Sequence, residues 1–380
     1  MTDQSPDDQL THAAHAFFPE ATEIAPVPGH PNLVRVEAPS GEWRVRRWPA
    51  DVAPERIRFV HDLLDAAANG NLAFTPRLHR AADGALLRLE DGAFDATTWI
   101  PGRSAERHQP GGRPIGESLH VPASLTRTTH EELTTRVATL HEALMPLSRD
   151  ETAPRVTLQG IERAVLANWQ AYRERLRPVA TRTPVVQRWL RTAERALPAA
   201  GHVLSGASSA FHERQVTGHF GLWPAHVIVH RASGEERIEG LIDFTQAAIG
   251  PPVLDLAQLV TRFSGWSADA IEFVTGAYSA VAALPPEDRR LLPAVAALDL
   301  TAEVGRLLTA TYATPRPDAF PAPSALRAGV DTLMTSLEGA TAALIRLEGP
   351  DRPARRQWVP GRRKPSPSKP ERRDRPRKNR

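Results

Sequence analysis

Residues 217–245 constrain the fold more than any other part of the chain. A loop that contains glycine, tryptophan and proline leads into the apolar run 227–229, and a second apolar run, 238–242, follows after a turn at 232–234. Short apolar runs on both sides of such a turn predict a β-hairpin. The second run stops at Asp243, so the pattern predicts a carboxylate at the end of an apolar strand.

The order of these parts is typical of a site that handles phosphate groups. A kinase catalytic core contains, in this order, a loop, a strand pair, a carboxylate at a strand end and an acid that opens a helix. In this sequence Asp255 is the acid that opens the helix. Phosphoryl transfer needs carboxylates that hold Mg²⁺, a group that receives the proton of the acceptor, and cations that spread the developing charge.

The rest of the sequence predicts a small α+β part followed by a mostly helical part. Apolar alternation around a Ser-Gly turn predicts a hairpin within residues 32–48, and Pro54 begins an amphipathic helix. Strand-like pieces at 86–89 and 96–100 follow, and Pro101-Gly102 then breaks the chain. Beyond the loop stretch that comes next, leucines at helical spacing predict helices on both sides of the central hairpin.

The chain resembles the aminoglycoside phosphotransferase-like family of small-molecule kinases, over about residues 24–346. In that family the catalytic loop reads roughly His-Gly-Asp-Leu-His-Pro-Gly-Asn, and the metal site reads Ile-Asp-Phe-Gly. The matching positions in this sequence are His219, Leu222, Pro224, Asp243-Phe244 and Asp255-Leu256-Ala257.

The resemblance implies an α+β, two-lobed, protein-kinase-like fold that uses ATP and Mg²⁺, with a small-molecule hydroxyl as the acceptor. It also implies that Asp243 binds the metal. We expect four segments: a polar N-terminal lead-in with one weak helix (1–23), a sheet-plus-helix N-lobe on the nucleotide side (24–100), a helical C-lobe with the remnant of the catalytic loop at 217–245 (101–347), and a basic tail (348–380).

The catalytic loop departs from the family pattern at two positions. The family places its catalytic Asp five residues before a metal-ligating Asn, and these positions hold Gly221 and His226 here. Glycine has no side chain that accepts a proton, and Mg²⁺ prefers hard oxygen ligands to imidazole nitrogen. We expect His219 to pack and hydrogen-bond within the loop; a role of His219 or His226 as a substitute base is the alternative.

The cation that contacts the phosphates has to be an arginine, because residues 1–350 contain no lysine. The sequence predicts Arg46 for this role, with Arg47 on the opposite strand face as the rival. Asp62, on the helix that follows, is the predicted ion-pair partner of Arg46. Asn32 lies in the predicted phosphate-covering loop, 28–32, which is not rich in glycine.

Composition excludes several other classes of function. Because the chain has no cysteine, disulfides, thiol nucleophiles and Cys-ligated zinc are excluded. No apolar run approaches the roughly 18 residues of a membrane span, and the acidic N-terminus does not favour a secretory signal, so we expect a cytoplasmic protein.

The C-terminal tail differs from the body in charge. Residues 351–380 carry 13 basic and 3 acidic side chains, a net charge of +10, which leaves −7 for residues 1–350. This dense charge with six prolines predicts disorder. The tail is expected either to make weak contacts with polyanions or to keep an acidic body in solution.

Two hypotheses for the function follow. The first is a phosphotransferase whose activity is weak or lost, since general-base assistance is typically worth about 10²–10⁴-fold in rate. The second is a catalytically silent, pseudokinase-like protein that binds a nucleotide or another ligand, or that serves as a scaffold.

Overall fold

The computed structural model describes residues 6–28, 30–80, 84, 86–89, 92–105, 125–207, 215–313 and 323–348. All of them belong to one compact unit, Met1–Glu348. The basic tail, with its predicted disorder and polyanion contacts, lies outside the described residues.

The N-terminal part contains an antiparallel five-stranded sheet in the order β1-β2-β3-β5-β4. The predicted hairpin is confirmed: Val34 pairs with Val45, and the chain reverses at Gly41, whose φ of 120° favours glycine. The strands are β1 (Glu23–Pro26), β2 (Leu33–Ala38), β3 (Gly41–Arg47), β4 (Leu86–Leu89) and β5 (Gly92–Thr98).

Two helices accompany this sheet. Helix α1 (Pro6–Phe17) packs against β1, β2 and β3 and buries Leu10 and Phe17 in a cluster with strand residues. The sequence predicts only a weak helix in a polar lead-in, because apolar side chains are sparse there; the sheet supplies the surface that they need. Helix α2 (Pro54–Asn69) begins at the predicted proline and packs against the third helix of the chain and the turn Phe244–Gln246.

The remainder is mostly helical, as predicted, and contains two small sheets. The central helix, α8, is buried along most of its length and packs against α4, α5, α6 and α9. The helices are α3 (Arg127–Ala143), α4 (Leu158–Ala180), α5 (Pro184–Ala207), α6 (Val253–Leu259), α7 (Ala268–Ser279), α8 (Pro286–Leu308) and α9 (Pro323–Glu348).

The small sheets are formed mostly by residues 216–250, which include the segment that constrains the fold. One has the order β6-β8-β9 and the other pairs β7 with β10. Their strands are β6 (Arg103–Ser104), β7 (Val216–Gly218), β8 (Val227–Ala232), β9 (Glu235–Leu241) and β10 (Ala248–Gly250). The predicted α+β fold class is therefore confirmed. None of the helices in the described ranges is both long and apolar enough to cross a membrane.

We expect Leu10→Ala to lower the free energy of unfolding by about 2–5 kcal/mol, because Leu10 is 1% exposed and its truncation leaves a cavity between α1 and the sheet. Urea denaturation followed by circular dichroism measures the change. His12→Ala, on the exposed side of the same helix, is the control, with an expected change within about 0.5 kcal/mol. Equal stability of the two variants would show that α1 does not belong to the cooperative unit.

Candidate active-site cleft

A cleft with a volume of about 1060 Å³ lies between the N-terminal sheet and the central hairpin. Arg46 and Asp243 line the same cleft, as the sequence interpretation requires. Several other predicted or newly found polar side chains line it as well: Asn32, Arg44, Arg47, Arg56, His226 and Gln246.

Arg46 is held by a buried carboxylate on the neighbouring strand. Its Nε and Nη2 donate to Asp95 Oδ1 and Oδ2 at 3.2 and 2.8 Å. Trp48 Nε1 also donates to Asp95 Oδ2, at 2.8 Å, and His61 Nε2 lies 3.1 Å from the same oxygen. The guanidinium of Arg46 stacks on the Trp48 ring at 3.6 Å. The position and orientation of Arg46 are thus fixed before any ligand binds.

Burial alone would raise the pKa of Asp95, but the charge of Arg46 and the hydrogen bonds from His61 and Arg46 outweigh it and hold this pKa well below its usual range. Asp95 is 1% exposed and therefore stays ionised. A buried ionised carboxylate is stable only when such partners compensate for its lost hydration.

The predicted ion pair between Arg46 and Asp62 does not form. Asp62 is exposed on α2 and does not line the cleft, whereas its neighbour His61 is buried and contacts Asp95. Successive residues on a helix point about 100° apart, so only one of the two can face the sheet. The sequence does carry a signal for Asp95: an acid flanked by Phe94 and Ala96 within an apolar strand.

A second arginine of β3, which the sequence interpretation missed, accompanies Arg46. Arg44 is two residues earlier, on the same face of the strand, and also lines the cleft. Burial, followed by the charge of Arg46, lowers the pKa of Arg44 to about 10. Within the part of the chain that the structure describes, its buried Nε has no hydrogen-bond partner. Arg44 thus presents a donor that an anion can satisfy.

Asp243 follows β9 and caps the short turn Phe244–Gln246. Its φ of 60° is tolerated because its Oδ1 accepts from Thr245 Oγ1 at 2.8 Å. Oδ1 also lies 3.8 Å from Arg46 Nη1, and Oδ2 lies 3.4 Å from His226 Nε2. Burial would raise the pKa of Asp243, but His226, Arg46 and Arg44 together lower it below its ordinary value, so the carboxylate is ionised.

His219 lies behind the loop and does not line the cleft. Its Nε2 donates to the Ile242 carbonyl at 2.9 Å, and its Nδ1 accepts from the Gly221 N–H at 3.3 Å. Both ring nitrogens are therefore used by the backbone, and burial lowers the pKa of His219. This arrangement agrees with the expected packing role and contradicts the alternative in which His219 serves as a base.

Side chains of α6 and of the residues that follow it form hydrogen bonds with the backbone of the loop. Asp255 Oδ2 and Oδ1 accept from the N–H groups of His219 and Phe220 at 2.9 and 2.8 Å. Gln258 accepts from the Leu222 N–H at 2.7 Å, and Arg262 donates to the Leu222 carbonyl. Asp255 lies in the first turn of α6, but the N–H groups that it binds belong to the loop and not to the start of its own helix.

His226 connects the loop to Asp243. Because a carbonyl only accepts, the 2.6 Å contact between His226 Nδ1 and the Gly221 carbonyl oxygen requires a proton on Nδ1. When the imidazole is protonated, its Nε2–H faces the Asp243 carboxylate as an ion pair; when it is neutral, Nε2 is an acceptor that a cation can use.

Two ligands of one metal ion lie about 3 Å apart, so the 3.4 Å between His226 Nε2 and Asp243 Oδ2 fits a shared cation. Among the described residues no group of three or more His, Asp or Glu side chains has metal-binding geometry. A cation at this pair would therefore need further ligands from a bound phosphate or from water.

Gly221 faces a side chain that the sequence interpretation did not consider. A Cβ atom at this position would lie 3.2 Å from both Cβ and Cδ of Gln246. A side chain at position 221 would thus contact the amide group of Gln246.

The comparisons with known proteins agree with this geometry. The sequence model described as the phosphotransferase enzyme family matches residues 24–292. No curated protein sequence matches the chain.

Solved structures share the fold at low sequence identity. An aminoglycoside phosphotransferase from Alicyclobacillus acidocaldarius is 16% identical, with a TM-score of 0.58, over 92% of this chain and 96% of its own. A microcompartment-associated aminopropanol kinase is 15% identical, with a TM-score of 0.58, over 90% and 98%. A spectinomycin phosphotransferase in complex with ADP and spectinomycin is 11% identical, with a TM-score of 0.56, over 90% and 99%.

We expect Asp95→Asn to lower the free energy of unfolding by about 3–5 kcal/mol at pH 7, because it leaves Arg46 buried without its counter-charge. Asp62→Asn, on the exposed side of α2, is the control and should change it by less than about 0.5 kcal/mol. Guanidinium chloride denaturation measures both.

The difference in the free energy of unfolding between wild type and Asp95→Asn should depend on pH. The pKa of Asp95 is lowered on folding, so its contribution to stability is complete above about pH 5 and is lost as the pH falls below about 4. The difference between wild type and Asp95→Asn should therefore shrink between pH 5 and pH 3. A difference that stays constant over this range would contradict an ionised Asp95.

Proposed function

This chain belongs to the phosphotransferase enzyme family, and we propose that it transfers the γ-phosphoryl group of ATP slowly to a hydroxyl of a small molecule. One observation carries this proposal: Arg46, held by Asp95, and the ionised Asp243 face each other across the same cleft, with Nη1 and Oδ1 3.8 Å apart. A cation and a carboxylate in this relation suit a polyphosphate and its metal ion.

The nucleotide would occupy the cleft with its phosphates near β3. Arg44 presents a forked donor that matches phosphate oxygens, and its buried Nε would gain a partner. Arg46 uses Nε and Nη2 on Asp95 and would contribute Nη1, the nitrogen on the side of Asp243. The apolar side chains of Ile100, Ile228 and Ile242 also line the cleft and offer a surface for the flat base. The ADP bound to the spectinomycin phosphotransferase supports this placement by analogy of fold.

We propose Asp243 and His226 as the protein ligands of the metal ion that accompanies the nucleotide. Such an ion would draw the phosphates together and neutralise part of their charge. One carboxylate oxygen and one imidazole nitrogen suit Mn²⁺ better than Mg²⁺, which prefers oxygen ligands only. The predicted Mg²⁺ would therefore bind more weakly at this site than Mn²⁺.

The absence of a carboxylate at Gly221 sets the expected rate. General-base assistance is worth about 10²–10⁴-fold. The transition state of phosphoryl transfer is loose, so positioning and electrostatic stabilisation provide most of the acceleration. Both are retained in Arg46, Asp95 and Asp243, which is why we propose slow transfer.

The second candidate function is a catalytically silent protein that binds a nucleotide or a small ligand in the same cleft. Gly221 and His226 favour it, because the two loop positions that usually carry the acid and the amide are both replaced. Phosphoryl transfer separates the two candidates, whereas nucleotide binding agrees with either of them.

We expect ATP with Mn²⁺ to raise the melting temperature, and to raise it more than ATP with Mg²⁺. A ligand that binds only the folded state at 100 times its Kd stabilises by about 2.7 kcal/mol. Asp243→Asn should remove the metal-dependent part of the shift, whereas Asp269→Asn, an exposed position on α7, should leave it intact. The measurement is differential scanning fluorimetry at millimolar nucleotide; no shift for the wild type would exclude both candidate functions that use this cleft for nucleotide.

We expect Gly221→Asp to raise the rate of phosphoryl transfer by 10-fold or more, because it introduces a proton acceptor where the loop has none. The backbone at this position is not in the left-handed region, and the exposed Gln246 can move by the few tenths of an ångström that a Cβ needs. A screen of small hydroxyl-bearing molecules with γ-labelled ATP measures the rate. No transfer by either protein, despite nucleotide binding, would favour the silent candidate.

A further inference from the structure

We infer that Gln246 orients the acceptor hydroxyl in place of the carboxylate that Gly221 does not provide; this inference rests on the proposed phosphotransferase function. An ideal Cβ at Gly221 would lie 3.3 Å from Gln246 Oε1 and 3.2 Å from its Cδ. The amide group thus lies in contact with the place where the side chain of a catalytic acid would begin.

Hydrogen bonds hold the backbone on both sides of this contact. Arg56 donates through Nε to the Thr245 carbonyl at 2.9 Å, and the Ala247 N–H donates to the Phe244 carbonyl at 3.0 Å. Together with the Asp243 cap, these bonds fix the turn from which Gln246 projects. The backbone position from which Gln246 projects is therefore set by the fold.

Gly221 is fixed in the same way. Its N–H donates to His219 Nδ1 at 3.3 Å, and its carbonyl accepts from His226 Nδ1 at 2.6 Å. The backbones of Gly221 and of the turn that carries Gln246 are consequently held next to each other in the cleft.

Gln246 also faces the cleft. It is exposed, it lines the same cavity as Asp243, and it comes three residues after Asp243 in the sequence. Gln258, the other glutamine beside the loop, is buried and uses its amide oxygen and nitrogen on the Leu222 N–H and the Phe220 carbonyl. An acceptor molecule in the cleft could thus contact the amide of Gln246 but not that of Gln258.

The chemistry follows from what an amide can and cannot do. Oε1 accepts a hydrogen bond from the acceptor O–H and so aims a lone pair of the hydroxyl oxygen at the γ-phosphorus. As the new O–P bond forms, the bond between the γ-phosphorus and the bridging oxygen breaks, and ADP leaves with that electron pair. A neutral amide cannot keep the proton, which passes to a non-bridging oxygen of the transferred phosphoryl group. The products are ADP and a singly protonated phosphomonoester.

A double-mutant cycle between Gly221 and Gln246 tests this role. In the wild type, Gln246→Ala should lower kcat by about tenfold, the size expected for one lost hydrogen bond, and leave the KM for ATP unchanged. In the Gly221→Asp background the same substitution should change kcat by less than twofold, because the carboxylate then orients the hydroxyl. Gln159→Ala, exposed on α4, is the control and should change neither constant.

Gln246→Glu provides a readout that a purely structural role would not give. A carboxylate at this position can accept the proton, so kcat should rise with pH through one ionisation that the wild type lacks. Nucleotide binding, measured by fluorimetry, should be unaffected by Gln246→Ala.

The outcomes separate this inference from the proposed function. Equal losses of kcat for Gln246→Ala in both backgrounds, or no loss in the wild type, would overturn the role of Gln246 while transfer itself stands. Nucleotide binding without any transfer would also overturn it and would favour the silent candidate. Absence of nucleotide binding would instead remove the proposed function on which the inference rests.

Discussion

The ionised, buried carboxylate of Asp95 forms the interactions on which the β3 side of the cleft depends. Asp95 lies on β5 and joins this strand to β3 and α2. Arg46 of β3, Trp48 directly after β3, and His61 of α2 all contact its carboxylate. Removing a carboxylate from water is costly unless charge and hydrogen bonds compensate. Here the same contacts that compensate also hold Arg46 close to Asp243, so a stability requirement and a functional geometry coincide.

A second buried carboxylate organises the opposite side. Asp255 accepts two backbone N–H groups of the loop and contacts His141, whose other nitrogen lies 2.8 Å from the Tyr278 hydroxyl. Burial would raise the pKa of Asp255, but the hydrogen bond and charge of His141 lower it. Gln258 and Arg262 extend this support along the loop. The cleft is therefore built between two walls that are each fixed by an ionised acid.

This architecture explains why the cleft is formed although position 221 carries no carboxylate. Gly221 takes part in the structure only through its backbone, whose two polar groups are bound by His219 and His226. The contacts that hold the loop together therefore need no side chain at this position. The charges that would bind phosphate, and the turn that presents Gln246, are supported independently of it.

The pattern of the sequence sufficed for the fold and for much of the cleft. The hairpin of residues 33–47, the helix that begins at Pro54 and the carboxylate at the end of β9 follow from local periodicity and turn residues, which require no knowledge of distant contacts. The absence of lysine from the body restricted the strand cation to an arginine, and the structure places Arg46 in the cleft.

The partners of the buried charged side chains depend on how distant parts of the chain pack together. Asp95 lies 49 residues from Arg46, and Asp255 lies 36 residues from His219; neither separation is visible in a local pattern. The same holds for Arg44, for the packing of α1 and for the contact between Gln246 and Gly221. Periodicity determines which side of an element is buried, whereas the side chain that meets a buried charge depends on how two distant elements pack.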